Sequence, residues 1–176
     1  MKVSMVEIYN ESIRDLLCDE EVAMKQAKTR GKKKGLAIQR GEHGNEVVGA
    51  THLPVNCPND IHYIMERGQK NRSTGCTKAN EHSSRSHCLL LIYIDSIEIQ
   101  KNIKMSGKLV MVDLAGSERI SKTDASGTRL TEAQHINKSL AALGNVINAL
   151  KQKQNHIPFR DSKLTYLLQD SLSKGK

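Results

Sequence analysis

The 176-residue chain has few aromatic residues: no tryptophan, one phenylalanine and four tyrosines. Its core must therefore be built from Leu, Ile and Val, within one domain by length. Proteins that bind single-stranded nucleic acids stack bases on aromatic side chains, so we expect no nucleic-acid partner. No apolar run reaches the ~20 residues that a membrane helix needs, so we expect no membrane partner either.

The chain also lacks the spacings typical of metal, redox or secretory sequences. Its four cysteines (Cys18, Cys57, Cys76 and Cys88) are far apart and form no C-x-x-C pair. This pattern favours reduced thiols packed as small apolar groups over a metal or redox site. The first eleven residues, MKVSMVEIYNE, already include a carboxylate at position 7 and do not form a secretory signal. We expect an intracellular protein.

Positive charge is concentrated at the carboxyl-terminal end. Residues 101–176 carry 13 Lys and Arg against 6 Asp and Glu, which is +7 of the total net charge of +8. Such a region attracts a polyanion, which could be nucleic acid, an anionic lipid or an acidic protein surface.

Short apolar segments alternate with helical patterns, which predicts the α/β class. Strands are predicted over residues 3–8, 88–94 and 108–112, the last two buried and joined by a polar connection over 95–107. Residues 11–17 favour a short helix or turn, and Pro58 begins a helix that reaches about Arg67. Further helices are predicted after Gly127 and over residues 162–172.

The long helix after Gly127 has apolar residues at spacings of three and four. These predict one buried face, which comprises Leu130, Ile136, Leu140, Leu143, Ile147 and Leu150. Lys138, Asn145, Asn148 and Lys151 then point outward. Gly144 inside this helix predicts close packing at that position, since glycine there costs about 1 kcal/mol relative to alanine.

Two motifs carry residue types suited to phosphate chemistry. In LVMVDLAGSER (residues 109–119), Asp113 ends a strand, where P-loop NTPases hold the hydration shell of Mg²⁺. A glycine close behind it, Gly116, allows a backbone N–H to approach a phosphate. In NEHSSRSH (residues 80–87), serine hydroxyls suit Mg²⁺ and phosphate, and Arg85 can pair with a carboxylate. Taken alone, each motif also fits an ordinary polar turn or loop.

Together these two motifs resemble switch I and switch II of kinesins. VEIYNESIRDLL, INKSLAALGNVINAL and IPFRDSKLTYLLQDSL also resemble kinesin segments, in the kinesin order, over about residues 3–172. The resemblance implies an incomplete P-loop NTPase-like kinesin motor fold: a central mixed sheet flanked by helices, as one partial motor domain over residues 1–176. The helix segments look like those of kinesins with carboxy-terminal motors, the kinesin-14 group, which usually move toward the minus end.

The resemblance implies ATP and Mg²⁺ as ligands and assigns roles to individual residues. Ser84 would coordinate Mg²⁺, with Ser83 and Asn80 near the γ-phosphate and the attacking water. Asp113 would contact the Mg²⁺ shell through water, and the Gly116 N–H would sense the γ-phosphate. An ion pair of Arg85 with Glu118 would close between the two switches when ATP is bound.

The resemblance also implies a microtubule as partner and a cytoplasmic, cytoskeletal location. The residues expected to face acidic tubulin are Arg160 and Lys163, followed by Lys138, Lys151 and Lys153. The KTRGKKKG segment (residues 28–35) falls where kinesins have a second tubulin-facing loop, but it equally fits a solvated insert. Ordinary solvated lysines on a helix face remain the alternative for the whole surface. Any dimerising coiled coil would lie outside this chain.

The chain departs from the family by lacking the phosphate loop. No G-x-x-x-x-G-K-[S/T] occurs, and GKKKG at 31–35 lacks its spacing. Without this cradle for the α- and β-phosphates, we expect the chain alone to bind ATP poorly and to hydrolyse it at no useful rate. The last strand and helix of the family's fold are expected to be missing too, which would leave an exposed sheet edge and an uncovered apolar face. The alternative to a motor ATPase is a non-motile microtubule-binding or regulatory fragment.

Overall fold

In the computed structural model, four ranges of the chain are described: residues 1–19, 35–74, 85–116 and 128–173, with side chains of residues 74 and 128–136 left aside. The strands are β1 (Lys2–Tyr9), β2 (Ser12–Asp15), β3 (Ala37–Gly41), β4 (Gly44–Val48), β5 (Leu53–Pro54), β6 (His87–Glu98) and β7 (Ile103–Asp113). The helices are α1 (Pro58–Thr74), α2 (Thr128–Lys151) and α3 (Lys163–Leu172), with a 3₁₀ turn at Phe159–Asp161. In these ranges no helix is long and apolar enough to cross a membrane.

The main sheet has the order β2-β1-β6-β7, with β5 also paired to β1. Every pairing between the described strands is antiparallel. Helix α1 packs against one face of the sheet through Ile64, and α3 packs against the other through Leu164 and Leu167. Helices therefore flank the sheet on both faces, as predicted, and the polar ends of β1, β6 and β7 lie side by side.

The segment predicted as a short helix or turn, residues 11–17, is instead mostly strand β2. Asn10 and Glu11 both have positive φ angles, 49° and 54°, and they connect Tyr9 directly to its partner Ser12. This is the two-residue hairpin geometry that usually takes Asn-Gly. Because glutamate stands at the second position, the hairpin signal was missed and the prediction was wrong.

The hairpin of β6 and β7 is longer than predicted. The two strands pair continuously from Cys88 with Asp113 to Glu98 with Ile103, so most of the predicted polar connection over 95–107 is strand. Strand β7 was predicted to be buried, which is also wrong. Its Leu109 and Met111 are 52% and 53% exposed, because no described element packs over this part of the α1-side face. The expected uncovered apolar face is confirmed within the described ranges.

Helix α2 differs from its predicted orientation. Among its described side chains, from residue 137 onward, the buried ones are Ser139, Ala142, Val146 and Ala149. Of the predicted apolar face, Ile147 is 51% exposed, Leu140, Leu143 and Leu150 are half-buried, and Leu130 and Ile136 lie outside the described side chains. Gly144 is exposed, and a Cβ built there would meet no atom within 4 Å, so the predicted close packing is wrong. The four residues predicted to point outward (Lys138, Asn145, Asn148 and Lys151) are all exposed.

Helix α3 begins where Ser162 caps it. The Ser162 hydroxyl accepts from the Thr165 N–H at 3.1 Å, and the Ser162 N–H donates back to the Thr165 hydroxyl. The Glu11 carboxylate accepts from the Lys163 N–H at 2.8 Å, which places negative charge at the positive end of the helix dipole. The β1–β2 turn thus holds the amino-terminal end of α3 in place.

Candidate nucleotide-switch site

The polar ends of three strands meet one arginine of helix α1. Glu7, Cys88 and Asp113 lie on one line across β1, β6 and β7, on the face that α1 covers. Arg72 Nη1 donates to Asp113 Oδ2 at 2.8 Å, and Nη2 donates to the Ser86 carbonyl oxygen at 3.0 Å. Arg72 Nε lies 3.7 Å from Glu7 Oε1. One guanidinium therefore connects the end of β7 to the start of β6 and to β1.

The two carboxylates that share Arg72 differ sharply in exposure. The Glu7 side chain is 1% exposed and also accepts from the Ser86 hydroxyl at 2.7 Å. The Asp113 side chain is 69% exposed. Mg²⁺ prefers oxygen ligands and usually retains several waters. The exposed Asp113 carboxylate could therefore hold a hydrated cation, whereas the Glu7 carboxylate is buried away from solvent. Among the described residues, no group of three or more His, Cys, Asp or Glu side chains could bind a metal alone.

The imidazole of His87, the first residue of β6, lies directly behind this cluster. His87 Nδ1 accepts from the Ala115 backbone N–H at 3.0 Å, and Nε2 lies 2.7 Å from the Ser139 hydroxyl of α2. Burial lowers the pKa of His87, with Asp113 opposing and Arg72 adding to the effect. Burial also disfavours the charged form of the neighbouring Cys88 thiol. It raises the pKa of this thiol to about 11, so the thiol stays protonated.

Of the residues predicted for phosphate chemistry, three lie in the described ranges. Asp113 ends β7 as expected, Gly116 is half-buried three residues further on, and Arg85 is half-buried two residues before β6. The others (Asn80, Ser83, Ser84 and Glu118) lie outside the described residues, as does most of the KTRGKKKG segment. The predicted Arg85–Glu118 ion pair and the Mg²⁺ contact of Ser84 therefore stay predictions.

The residues predicted to face the track lie on α2, in the connection that follows it and at the start of α3. Lys138, Lys151, Lys153 and Arg160 are exposed, and Lys163 is half-buried. The Arg160 guanidinium lies 5.6 Å from the centroid of the Tyr166 ring, close enough for a cation–π contact. Glu11, Arg160, Ser162, Lys163 and Tyr166 line an open cleft of about 390 Å³.

Lys153 has an unusual backbone conformation where α2 ends. Its φ angle is 52°, in the left-handed region that favours glycine. The Lys153 N–H donates to the Leu150 carbonyl and the Gln154 N–H to the Ala149 carbonyl, as in a Schellman ending. A lysine at this position costs roughly 1 kcal/mol relative to glycine.

Sequence reasoning missed Arg72, Glu7, His87 and Ser139. The end of α1 was placed near Arg67, whereas the helix continues to Thr74 and so includes Arg72 in its last turn. His87 was noticed only as part of a polar motif. Its partners Ala115 and Ser139 are 28 and 52 positions away, and no local pattern indicates contacts at such distances.

The sheet with helices on both faces, the exposed aspartate at the end of β7 and the basic helical surface agree with the motor fold that the motifs imply. A model of the kinesin motor domain matches residues 1–176, so the chain belongs to the kinesin motor domain family. The resemblance stated from the motifs is confirmed.

Relatives that match the chain include kinesin-like proteins KIN-14H and KIN-14F of Arabidopsis thaliana. They are 45% and 48% identical over 172 residues, which is 98% and 97% of this chain and 15% of each relative. These matches are consistent with the predicted likeness to the kinesin-14 group.

Solved structures with the same fold include a fast kinesin, described for its ATPase mechanism and its interactions with microtubules. It is 41% identical with a TM-score of 0.78, and the match covers 98% of this chain and 46% of that one. The motor domain of Kar3 from Saccharomyces cerevisiae is 38% identical with a TM-score of 0.76, and the match covers 99% of this chain and 50% of that one. The predicted fold is confirmed, and this chain spans about half of the solved motor chains and 15% of the curated relatives.

Proposed function

We propose that this chain is the switch-bearing and track-binding part of a microtubule-based motor that uses ATP and Mg²⁺. The observation that supports this most is the connection from Asp113 along the backbone to Ala115, and from there by hydrogen bonds through His87 to Ser139 on α2. It connects the strand end suited to a hydrated cation with the helix that ends at Lys151, two residues before Lys153. In the complete protein we expect movement along microtubules in the cytoplasm, as part of the cytoskeleton.

The proposed nucleotide roles follow the switch motifs. Asp113 would hold a water of the Mg²⁺ shell, and the Gly116 N–H would contact the γ-phosphate. Ser84 would coordinate Mg²⁺, while Ser83 and Asn80 would position the γ-phosphate and the attacking water. The pair of Arg85 with Glu118 would close the switches. Bound Mg²⁺ would neutralise charge on the phosphates, and these side chains would orient the groups around it.

For the 176-residue chain alone we propose microtubule binding without useful ATP turnover. The sequence has no phosphate loop, and the switches by themselves contact only the γ-phosphate end of the nucleotide. The test is ATP turnover by the purified chain with and without microtubules, together with co-pelleting at several salt concentrations. Microtubule-stimulated turnover would contradict the loss of activity, and a failure to pellet at low salt would contradict the track-binding role.

The basic surface can be tested with single substitutions. We expect Arg160→Ala and Lys163→Ala each to weaken co-pelleting about three- to fivefold, because each removes one charge facing an acidic surface, worth about 1 kcal/mol or less. The control is Lys101→Ala in the β6–β7 turn, whose side chain is 67% exposed. Equal losses in the control and the two variants would indicate a general charge effect and not a specific surface.

Lys153 offers a test in which stability and binding change in opposite directions. We expect Lys153→Gly to raise the free energy of unfolding by about 1 kcal/mol, because glycine relieves the left-handed conformation. Loss of the charge is expected to weaken co-pelleting at the same time. Urea unfolding and co-pelleting of the same variant measure both effects. If Lys153→Gly is more stable than the unmodified chain but pellets with microtubules equally well, Lys153 does not belong to the proposed track surface.

A further inference from the structure

Three separate segments meet at the buried ring of His87. The ring belongs to the first residue of β6, which is held between β1 and β7 in the sheet. Ala115 belongs to the loop that follows β7, and Ser139 belongs to helix α2. His87, Ala115 and Ser139 are 2%, 5% and 3% exposed, so water does not compete for these contacts.

The geometry fixes the direction of both hydrogen bonds. A backbone N–H can only donate, so the Nδ1 atom that faces the Ala115 N–H carries no proton. The single proton of the neutral ring is then on Nε2 and is donated to the Ser139 hydroxyl oxygen. The lowered pKa of His87, caused mainly by burial, is consistent with a neutral ring.

Residues with roles in the proposed function lie next to both hydrogen-bond partners of His87. Ala115 lies two residues after Asp113 and directly before Gly116. Ser139 follows Lys138 on α2, the helix that also carries Lys151 in its last turn. Because both bonds end on one ring, a displacement of the loop that shifts the ring through the 3.0 Å bond would also change the 2.7 Å bond to the helix. Packed interiors transmit such shifts because they have little free volume.

We propose that His87 is a positioning residue that holds the loop after β7 and helix α2 in a common register, as a neutral ring with its proton on Nε2. The importance of this link for movement rests on the proposed function, but the link itself does not. The ordinary alternative is a buried histidine that is merely satisfied by two neighbours. That alternative predicts that substitution of His87 lowers stability, but that a change at Ser139 has no effect on Ala115.

The first test is a spectroscopic measurement on the unmodified 176-residue chain. The ¹⁵N chemical shifts of the His87 ring distinguish an unprotonated Nδ1 from a protonated one. We expect an unprotonated, hydrogen-bond-accepting Nδ1 and a protonated Nε2 at neutral pH. The opposite tautomer, or a doubly protonated ring, would overturn the proposal without any substitution.

The second test asks whether a change at α2 reaches the loop. We expect Ser139→Ala to accelerate hydrogen exchange of the Ala115 amide about tenfold, the size of losing one buried hydrogen-bond partner, relative to the Leu91 amide in the middle of β6. Referring exchange to Leu91 removes any effect of global stability. The matched control is Ser171→Ala, an exposed serine on α3. Equal exchange at Ala115 in Ser139→Ala and Ser171→Ala would overturn the proposal.

Two replacements of His87 separate the two halves of the link. Asn offers an oxygen near the position of Nδ1 but cannot reach Ser139, and Gln offers an amide N–H near the position of Nε2. We expect His87→Asn to keep Ala115 protected while making that protection insensitive to Ser139→Ala, a non-additive result. We expect His87→Gln to lose protection at Ala115. Additive effects of His87→Asn and Ser139→Ala would contradict a relay.

Co-pelleting of the same variants keeps the two proposals apart. A wild-type chain that fails to pellet would contradict the proposed function while leaving the exchange and ring measurements valid. A chain that pellets, with Ala115 unaffected by Ser139→Ala, would contradict only the role of His87.

Discussion

Replacing Arg72 with alanine is expected to lower the free energy of unfolding by about 3 kcal/mol, the low end for breaking a buried ion pair on one side. Glu7, whose side chain is 1% exposed, would lose the Arg72 guanidinium, while Arg14 Nη1 stays 3.7 Å from Glu7 Oε2. The Ser86 carbonyl would also lose a hydrogen bond from Arg72. Arg72→Lys should recover only part of the loss, because an ammonium cannot contact several acceptors as a planar fork does.

Urea unfolding measures this effect, and two further variants identify its source. Lys70→Ala, an exposed position on the same helix, is expected to stay within about 0.5 kcal/mol of the unmodified chain. Glu7→Gln in the Arg72→Ala background should restore part of the stability by removing the buried charge. Equal unfolding midpoints for Arg72→Ala and Lys70→Ala would show that the cluster is not a source of stability.

The two ends of the Arg72 cluster are expected to behave differently. Asp113→Asn should cost less than about 1 kcal/mol, since the Asp113 side chain is 69% exposed and pairs with Arg72 in contact with solvent. Stability would then depend mainly on Glu7, which leaves Asp113 available for a ligand. Arg72 can thus stabilise the sheet and orient the Asp113 carboxylate at the same time.

Local signals account for the elements that the sequence predicted well. Strand β1 runs from Lys2 to Tyr9 against a prediction of residues 3–8, and α3 follows its capping residue Ser162 directly. The alternation that predicted the strand extends over a few residues, and the capping box that the structure shows at Ser162 is equally local. Such signals need no knowledge of the rest of the fold.

The missed features depend on contacts between distant residues. Strand β2 has only four residues, and its hairpin uses Glu11 where glycine is usual, because the Glu11 side chain also caps α3. The Arg72–Asp113 pair joins residues 41 positions apart. The burial of Ala142, Val146 and Ala149 in place of Ile147 depends on how α2 is rotated against its neighbours. None of these follows from composition or periodicity.

The chain alone is expected to self-associate through the uncovered face of β6 and β7. This face comprises Ile94, Met105, Leu109 and Met111, which are 45–54% exposed. Their partners in the pairing register place them on the α1 side, beyond the part that α1 covers. Strand β7 is also the last strand of the described sheet, and an edge strand of eleven residues that carries exposed apolar side chains invites pairing with another chain.

The double substitution Leu109→Lys with Met111→Lys tests this expectation. Sedimentation velocity should show a mass that rises with concentration for the unmodified chain and a monomer for the variant. The unfolding free energy should change by no more than about 0.5 kcal/mol per site, since both side chains are half exposed. Ile147→Lys on α2, 51% exposed, adds one of the two lysine charges at a different surface. If Ile147→Lys disperses the chain as well as the double variant does, net charge and not the β7 face controls association.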